Sequence, residues 1–282
     1  NVAVGSYTLQ ANTTSYQTAI GAYALNATTT GGNNTGVGYY ALAANTTGVD
    51  NTAVGMQALD AATTASYNTA VGARALGACT GSGHCAVGED ALLTMTAGTQ
   101  NIAMGQSAMR LLTTGNYNIA IGANTLAASA GFSSNTAVGH AALNACDANN
   151  NSAFGFNALL SNSTGTSNNA FGAYALDANT TGSQSNAFGY LALSNSNGSY
   201  NNAFGQQAME DNTTGTHNVA FGHDAMRENT TASYNTAVGS QSLGVVTTSS
   251  ANTAIGYQAL KSNSTGGNNT AVGHKAFEDL TT

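Results

Sequence analysis

Large apolar residues fall at two places that recur along the whole chain. One lies immediately before a glycine, as at Val4, Ile20, Val54, Met104, Phe154, Phe171 and Val272. The other lies four residues after that glycine, as at Leu9, Leu25, Leu59, Met109, Met226 and Phe277. Two further positions stay small. Two residues before the glycine stands alanine in sixteen repeats and Gly36 in the other; three after it stands alanine in fourteen, with Thr8, Thr125 and Ser242 as exceptions. The glycine recurs seventeen times, at twelve intervals of 17 residues and four of 16. The unit reads N-T-A-V-G-x-x-A-L-x-x-N-T-T-G-x-x, clearest from residue 51 onward. Self-similarity at so short a period is the signature of a repeat architecture. It predicts an all-β parallel β-solenoid, a β-roll of about 17 coils, forming one repeat domain over residues 1–282.

Within the unit, Thr-Ala-Val is rich in β-branched residues and suits a strand. Side chains alternate along a strand, so Thr52 and Val54 face one way and Ala53 the other. A helix competes for residues 55–59, but 17 residues barely hold a helix, a strand and turns, so two short strands per coil are expected. Asn-Thr-Thr-Gly at 45–48 has turn chemistry. The shortened units lose their residue in this turn, as over residues 10–16, and loops absorb deletions where strands do not.

Size and hydrophobicity then assign the columns. The residues before and four after the glycine are read as the core of each coil: Val54 and Leu59, Val71 and Leu76, Phe171 and Leu176. The alanine column, with Ala53, Ala70, Ala120, Ala170 and Ala237, is read as a face closely approached by another chain, since a solvent-facing column should vary. Identical rods ringed about an axis would supply that chain, making the protein a homo-oligomer. The column that heads each repeat is asparagine in fourteen of seventeen units, with Gln17, His84 and Ser185 as exceptions, and is expected to form a ladder of side-chain amides.

Composition narrows the function. Charged residues are 6%, the net charge is −7, and lysine and arginine total five, so no basic patch exists for nucleic acid. Proline is absent, as expected of a backbone committed to inter-strand ladders. No stretch reaches the roughly 18 apolar residues of a membrane span. Residues 1–5 have no basic start and no apolar core, so they are not a signal peptide, and both ends fall in mid-repeat. The expectation is a segment of a longer polypeptide, with caps and targeting signals elsewhere.

Asn-Thr-Ala-Val-Gly-x-x-Ala resembles the Asn-Ser-Val-Ala-Ile-Gly-x-x-Ser/Ala repeat of trimeric autotransporter adhesin heads, most closely at residues 101–105 and 118–122. Residues 252–260 are similar to the N-T-A-V-G-Y-Q-A-L repeats of phage tail-fibre-like and bacterial surface proteins. The unit here is longer than that of the adhesin heads by about one loop. The resemblance implies a left-handed β-roll, three chains about one axis, and a role in surface attachment. It places the protein at a cell surface, on a virion or otherwise outside the cell, with the receptor or glycan open.

Other chemistry is sparse. Cys79 and Cys85 flank a shortened turn; a local disulfide and two free thiols filling repeat positions are both open. With His84 they make three metal ligands at best, and no metal or cofactor is expected. Around His217, His223, Asp224, Arg227 and Glu228 a solvated face is the preferred reading. The adjacent acids Glu89 and Asp90, Glu210 and Asp211, and Glu278 and Asp279 would point to opposite faces of a strand and make poor acid–base pairs. No nucleophile or phosphate-loop motif occurs, so the chain is not expected to be an enzyme. Phe154, Phe171, Phe188, Phe204 and Phe221 share one column; an internal aromatic stack is preferred over a ligand-binding strip. Adjacent threonines such as Thr46 and Thr47, Thr180 and Thr181, and Thr213 and Thr214 raise ice binding as the alternative function. Asn12, Asn45, Asn179, Asn212 and Asn229 begin N-T-T, a glycosylation pattern read first as turn chemistry.

Overall fold

The computed structural model describes residues 1–263 and 265–279. The last residues of the final, incomplete repeat, 280–282, lie outside them. The chain is an all-β parallel solenoid of about 16 turns with a repeat near 17 residues, and the described residues contain no helix. It divides into two compact units, Asn1–Ala141 and Ala142–Thr282.

The first unit stacks nine three-residue strands from Val2–Val4 to Thr136–Val138, and the second stacks eight from Ser152–Phe154 to Thr270–Val272. Pairing is parallel and column on column. Thr52 meets Thr69, Ala53 meets Ala70 and Val54 meets Val71; in the second unit Asn169 meets Asn186 and Phe171 meets Phe188. The strands are the Thr-Ala-Val segments that β-branching and alternation predict.

The other side of the coil departs from the expectation of a second strand. It is a pair of hydrogen-bonded turns. Ala58 N donates to Gly55 O at 3.4 Å and Ala62 N to Leu59 O at 3.3 Å. Coil-to-coil bonds continue through them, with Gln57 N donating to Tyr39 O at 2.8 Å and Leu59 N to Ala75 O at 3.0 Å. The cause lies in the dihedrals. Gln57, Leu59 and Tyr67 have φ of 56°, 52° and 61°, and the equivalents in other coils do likewise. Left-handed residues break the alternation of a strand, so Ala58 and Leu59, neighbours in sequence, both point inward and are fully buried. Among the described residues a regular second strand forms only at Ala97–Thr99 and Thr114–Asn116.

The leucine column is core as expected: Leu59, Leu76 and Leu176 are fully buried. The other half of the core assignment is inverted. Ala53, Ala70, Ala120, Ala170 and Ala237 are each 0% exposed within their own chain, so they line the coil and offer no face to a subunit. Val54 and Val71, on the opposite side of the strand, are each 36% exposed, and Phe171 is half-buried. Space decides the sides. At Gly36, where the other coils carry alanine, an added Cβ would already stand 3.3 Å from Leu25 Cγ and 3.2 Å from Ala41 O. A methyl group is the largest side chain that the strand can turn towards the leucine.

The asparagine column closes each coil. Asn51 Nδ2 donates to Ala65 O across its own coil at 2.8 Å, while its Oδ1 accepts the N–H of Asn68 at 3.0 Å. Amides also meet directly, as from Asn118 Nδ2 to Asn101 Oδ1 at 2.9 Å and from Asn218 Nδ2 to Asn201 Oδ1 at 3.2 Å. The exceptions reproduce the acceptor role. Gln17 Oε1 accepts from Asn34 N, His84 Nδ1 from Asn101 N and Ser185 Oγ from Asn201 N. A side chain without an acceptor here would orphan a buried backbone N–H, which costs roughly 1–3 kcal/mol.

Candidate functional surfaces

With alanine inside, each strand turns its first and third residues outward. In the first unit these columns run Thr18, Thr35, Thr52, Thr69, Cys85, Ile102, Ile119 and Thr136 beside Ile20, Val37, Val54, Val71, Val87, Met104, Ile121 and Val138. Ile20, Met104 and Ile121 are 40%, 41% and 39% exposed. In the two columns of either unit no residue is charged, although the chain carries five basic and twelve acidic residues.

In the second unit this face changes character. The phenylalanine column lies on the outside, so the internal stack expected from its hydrophobicity is corrected to a surface one. Ring centroids of Phe154, Phe171, Phe188, Phe204 and Phe221 are spaced 4.6, 4.7, 4.8 and 5.8 Å, and the first three pairs are parallel to within 9°. Beside them the amides of Asn169, Asn186 and Asn202 form a ladder of 2.8 and 2.6 Å bonds. Stacked in this way, inner rings cover one another's faces and present edges to solvent.

The cysteines do not converge. Cys79 sits inside its turn, and burial pushes its thiol up to about 11; its Sγ donates to Gly81 O. Cys85 faces outward from the strand Cys85–Val87, and both are free thiols. The disulfide reading fails because one side chain lies within the coil and the other on its outer face. His84 is a buried member of the asparagine column. Burial lowers its pKa, while the facing Gly98 carbonyl acts the other way.

Several of the charged groups pair locally. Arg74 holds Asp90 through two bonds, Nε to Oδ1 at 2.6 Å and Nη2 to Oδ2 at 2.9 Å, with Glu89 at 3.5 Å. Glu89 and Asp90 thus reach one guanidinium together, because they stand in a turn and not in a strand. Arg227 meets Glu210 at 3.4 Å, and His223 meets Asp224 at 3.2 Å. His217 joins neither; it stacks between Tyr200 and Tyr234 with centroids 4.7 and 5.0 Å away. Among the described residues no group of three or more His, Cys, Asp or Glu could hold a metal ion, and no helix is long and apolar enough to cross a membrane.

The Asn-Thr-Thr segments are turns, as read. Asn45 Nδ2 donates to Gly48 O at 3.2 Å, and Gly182 N donates to Asn179 Oδ1 at 3.0 Å. Asn45, Asn179, Asn212 and Asn229 are at most 1% exposed, so their amides are closed to glycosylation in the folded coil. The threonines of these turns spend hydroxyls between coils: Thr46 Oγ1 donates to Thr63 O, and Thr213 Oγ1 to Thr230 O. No protein-family model matches the chain, and no curated protein matches it significantly.

Proposed function

We propose that the chain is a structural segment of an extracellular fibre, at a cell surface or on a virion, that associates with copies of itself as a trimer through the outer strand face. The observation that carries this reading is the uncharged face itself. Half-exposed Val, Ile, Met and Phe stand in register along consecutive strands, and every charged residue is placed elsewhere. Contiguous exposed apolar surface marks an interaction site. A second copy is the occupant whose ridges repeat at the same ~4.8 Å step. The work of such a segment is mechanical: it holds a binding tip away from the surface and needs no catalytic group. Nucleic acid does not suit a surface with so few basic groups.

The test is the mass of the 28.0 kDa chain in solution by light scattering, for the parent and for a Val54→Lys, Val71→Lys variant. The parent is expected at three times the chain mass and the variant at the chain mass, with the circular dichroism spectrum unchanged. A monomeric parent refutes the association.

One observation favours ice binding as a second reading. Thr18, Thr35, Thr52 and Thr69 stand in consecutive register on the outer strand face, beside Ile20, Val37, Val54 and Val71. Thermal hysteresis of a monomeric chain would establish that reading over the fibre.

A further inference from the structure

Each unit carries a concavity, and the lining of each includes a glycine from the same repeat column. The fifth residue after the repeat glycine forms a ridge on the turn side of the coil, occupied by residues such as Asn26, Asp60, Leu93, Arg110, Leu160 and Glu210. Glycine stands in that column twice, at Gly77 and Gly244. Gly77 is the floor of a cavity of about 360 Å³ in the first unit, and Gly244 of one of about 70 Å³ in the second. An added Cβ at Gly77 would stand 3.2 Å from Leu93 Cδ1 and 3.3 Å from Arg74 O, and one at Gly244 would stand 3.1 Å from Gln241 O and 3.7 Å from Lys261 Cγ. Three of the five basic residues, Arg74, Arg227 and Lys261, line these two notches. In so uncharged a chain that is a concentration of polar chemistry at its concave points.

We propose that the Gly77 notch is a binding subsite for one ring of a neutral, polyhydroxylated ligand, such as a hexose unit of an uncharged glycan. The lining matches that chemistry. Asp60 is half-buried at the rim and takes part in no ion pair among the described residues, so its carboxylate can accept ligand hydroxyls. The Gln57 amide can donate and accept. Thr94 Oγ1 gives its proton to Arg110 O and keeps acceptor capacity towards the notch. Leu93 supplies an apolar wall for the C–H face of a ring. Cavities of roughly 300–1,000 Å³ with a few convergent polar groups are the usual form of a small-ligand site. An anion is disfavoured because Arg74 is already held by Asp90 and Glu89, and the net charge is −7. An ammonium is disfavoured because it would have to shed water against Leu93 with a single carboxylate to meet it. The inference deepens the attachment role by naming a ligand class, and it rests on that reading only for its biological setting.

The experiment is saturation-transfer difference NMR on the full chain, with neutral gluco-, galacto- and N-acetylglucosamine oligosaccharides as probes and sulfated and amine-bearing oligosaccharides as comparison arms. A neutral probe is expected to bind saturably. Gly77→Asn fills the notch with the side chain that Asn26 already carries in this column and should abolish the signal. Asp60→Asn keeps the shape and removes the charged acceptor, and should weaken binding about tenfold, as loss of one charge-assisted hydrogen bond does. Binding that survives Gly77→Asn, absence of saturable binding by every neutral probe, or preference for a charged probe overturns the proposal. Should Gly77→Asn fail to fold, Asp60→Asn decides. The oligomeric mass is read separately: a trimer that binds no neutral sugar sinks the notch and leaves the fibre, and a monomer that binds one does the reverse.

Discussion

Replacing Gly55 with alanine strikes the tightest point between coils. Its φ is +140°, a conformation open to glycine and strained for any residue with a Cβ by roughly 1–3 kcal/mol. An added Cβ would also stand 2.6 Å from the carbonyl carbon of Gly72 and closer still to its oxygen. The coils must therefore part. The bonds at risk are Gly55 N to Val37 O and Gly72 N to Val54 O, each 2.8 Å and each contributing about 1 kcal/mol net. Together the expected cost is roughly 3–5 kcal/mol. Two glycines separate the causes. Gly273 has φ +133°, but among the described residues the nearest atom to its Cβ is Ala276 Cβ at 3.9 Å, so Gly273→Ala carries the strain without the collision. Gly32 is free of both, with Ser15 O 4.0 Å away, and Gly32→Ala should be neutral or stabilise by up to about 1 kcal/mol. The measurement is guanidinium unfolding followed by circular dichroism on the three variants. The expected order of destabilisation is Gly55→Ala, then Gly273→Ala, then Gly32→Ala. Equal midpoints for Gly55→Ala and Gly32→Ala would refute the claim that the glycine column is set by coil-to-coil contact.

Other consequences follow from the interior. His84 is buried with a lowered pKa, so its contribution to stability is complete above its ordinary value of 6.5 and is lost as the pH falls below that; His84→Asn should flatten the melting temperature between pH 8 and pH 5, and an unchanged pH profile would show that the ring is not the titrating group. Asn118→Ala removes the acceptor for Asn135 N and the donor to Phe132 O, both at 3.0 Å, and should cost roughly 3 kcal/mol in denaturant unfolding, whereas a loss under 1 kcal/mol would mean that water replaces the amide. Cys79 and Cys146 are buried and Cys85 is not, so a thiol reagent should titrate one group per native chain and three in denaturant; a native count of zero would instead support a disulfide or a covered Cys85.

Period, strand position and turn position were all legible in the chain, because a backbone that repeats every 17 residues must place its punctuation at the same height in each coil. Which side of the strand faces inward is not legible from hydrophobicity alone, which points to the wrong side. Val54 is more apolar than Ala53, yet Ala53 is the buried one. A signal for the right answer was present. The valine column tolerates Val, Ile, Met and Phe, a range that no narrow interior accommodates, while the alanine column admits nothing larger than a methyl group. Constancy of size marked the inside and variation the outside. The second side of the coil carried a similar signal: Ala58 and Leu59 are adjacent and both apolar in repeat after repeat, which an alternating strand cannot bury together. The buried turn column was harder to see. It runs Asn45, Ala62, Cys79, Met95, Leu112 and Ser129, a mixture that reads as surface although every member is buried.

The same division says where function must be sought in such a chain. Stability in a stacked repeat is close to a sum over coils and their nearest neighbours. Here that sum is carried by the inward columns of asparagine, alanine and leucine and by the glycine between them, whose variation is confined to side chains that preserve the hydrogen bond or the volume. The outward columns are released from that duty and can change at little cost. A departure from consensus on the inside, such as His84 or Gln17, is therefore a structural equivalent and is explained by the bond it keeps. A departure elsewhere, such as the outer phenylalanine block or Gly77 beneath its notch, preserves no hydrogen bond or volume of the consensus, so its explanation is sought in what touches it. That is why the Gly77 notch, which the fold does not require, is a stronger pointer to a ligand than any of the buried polar residues whose chemistry first draws the eye.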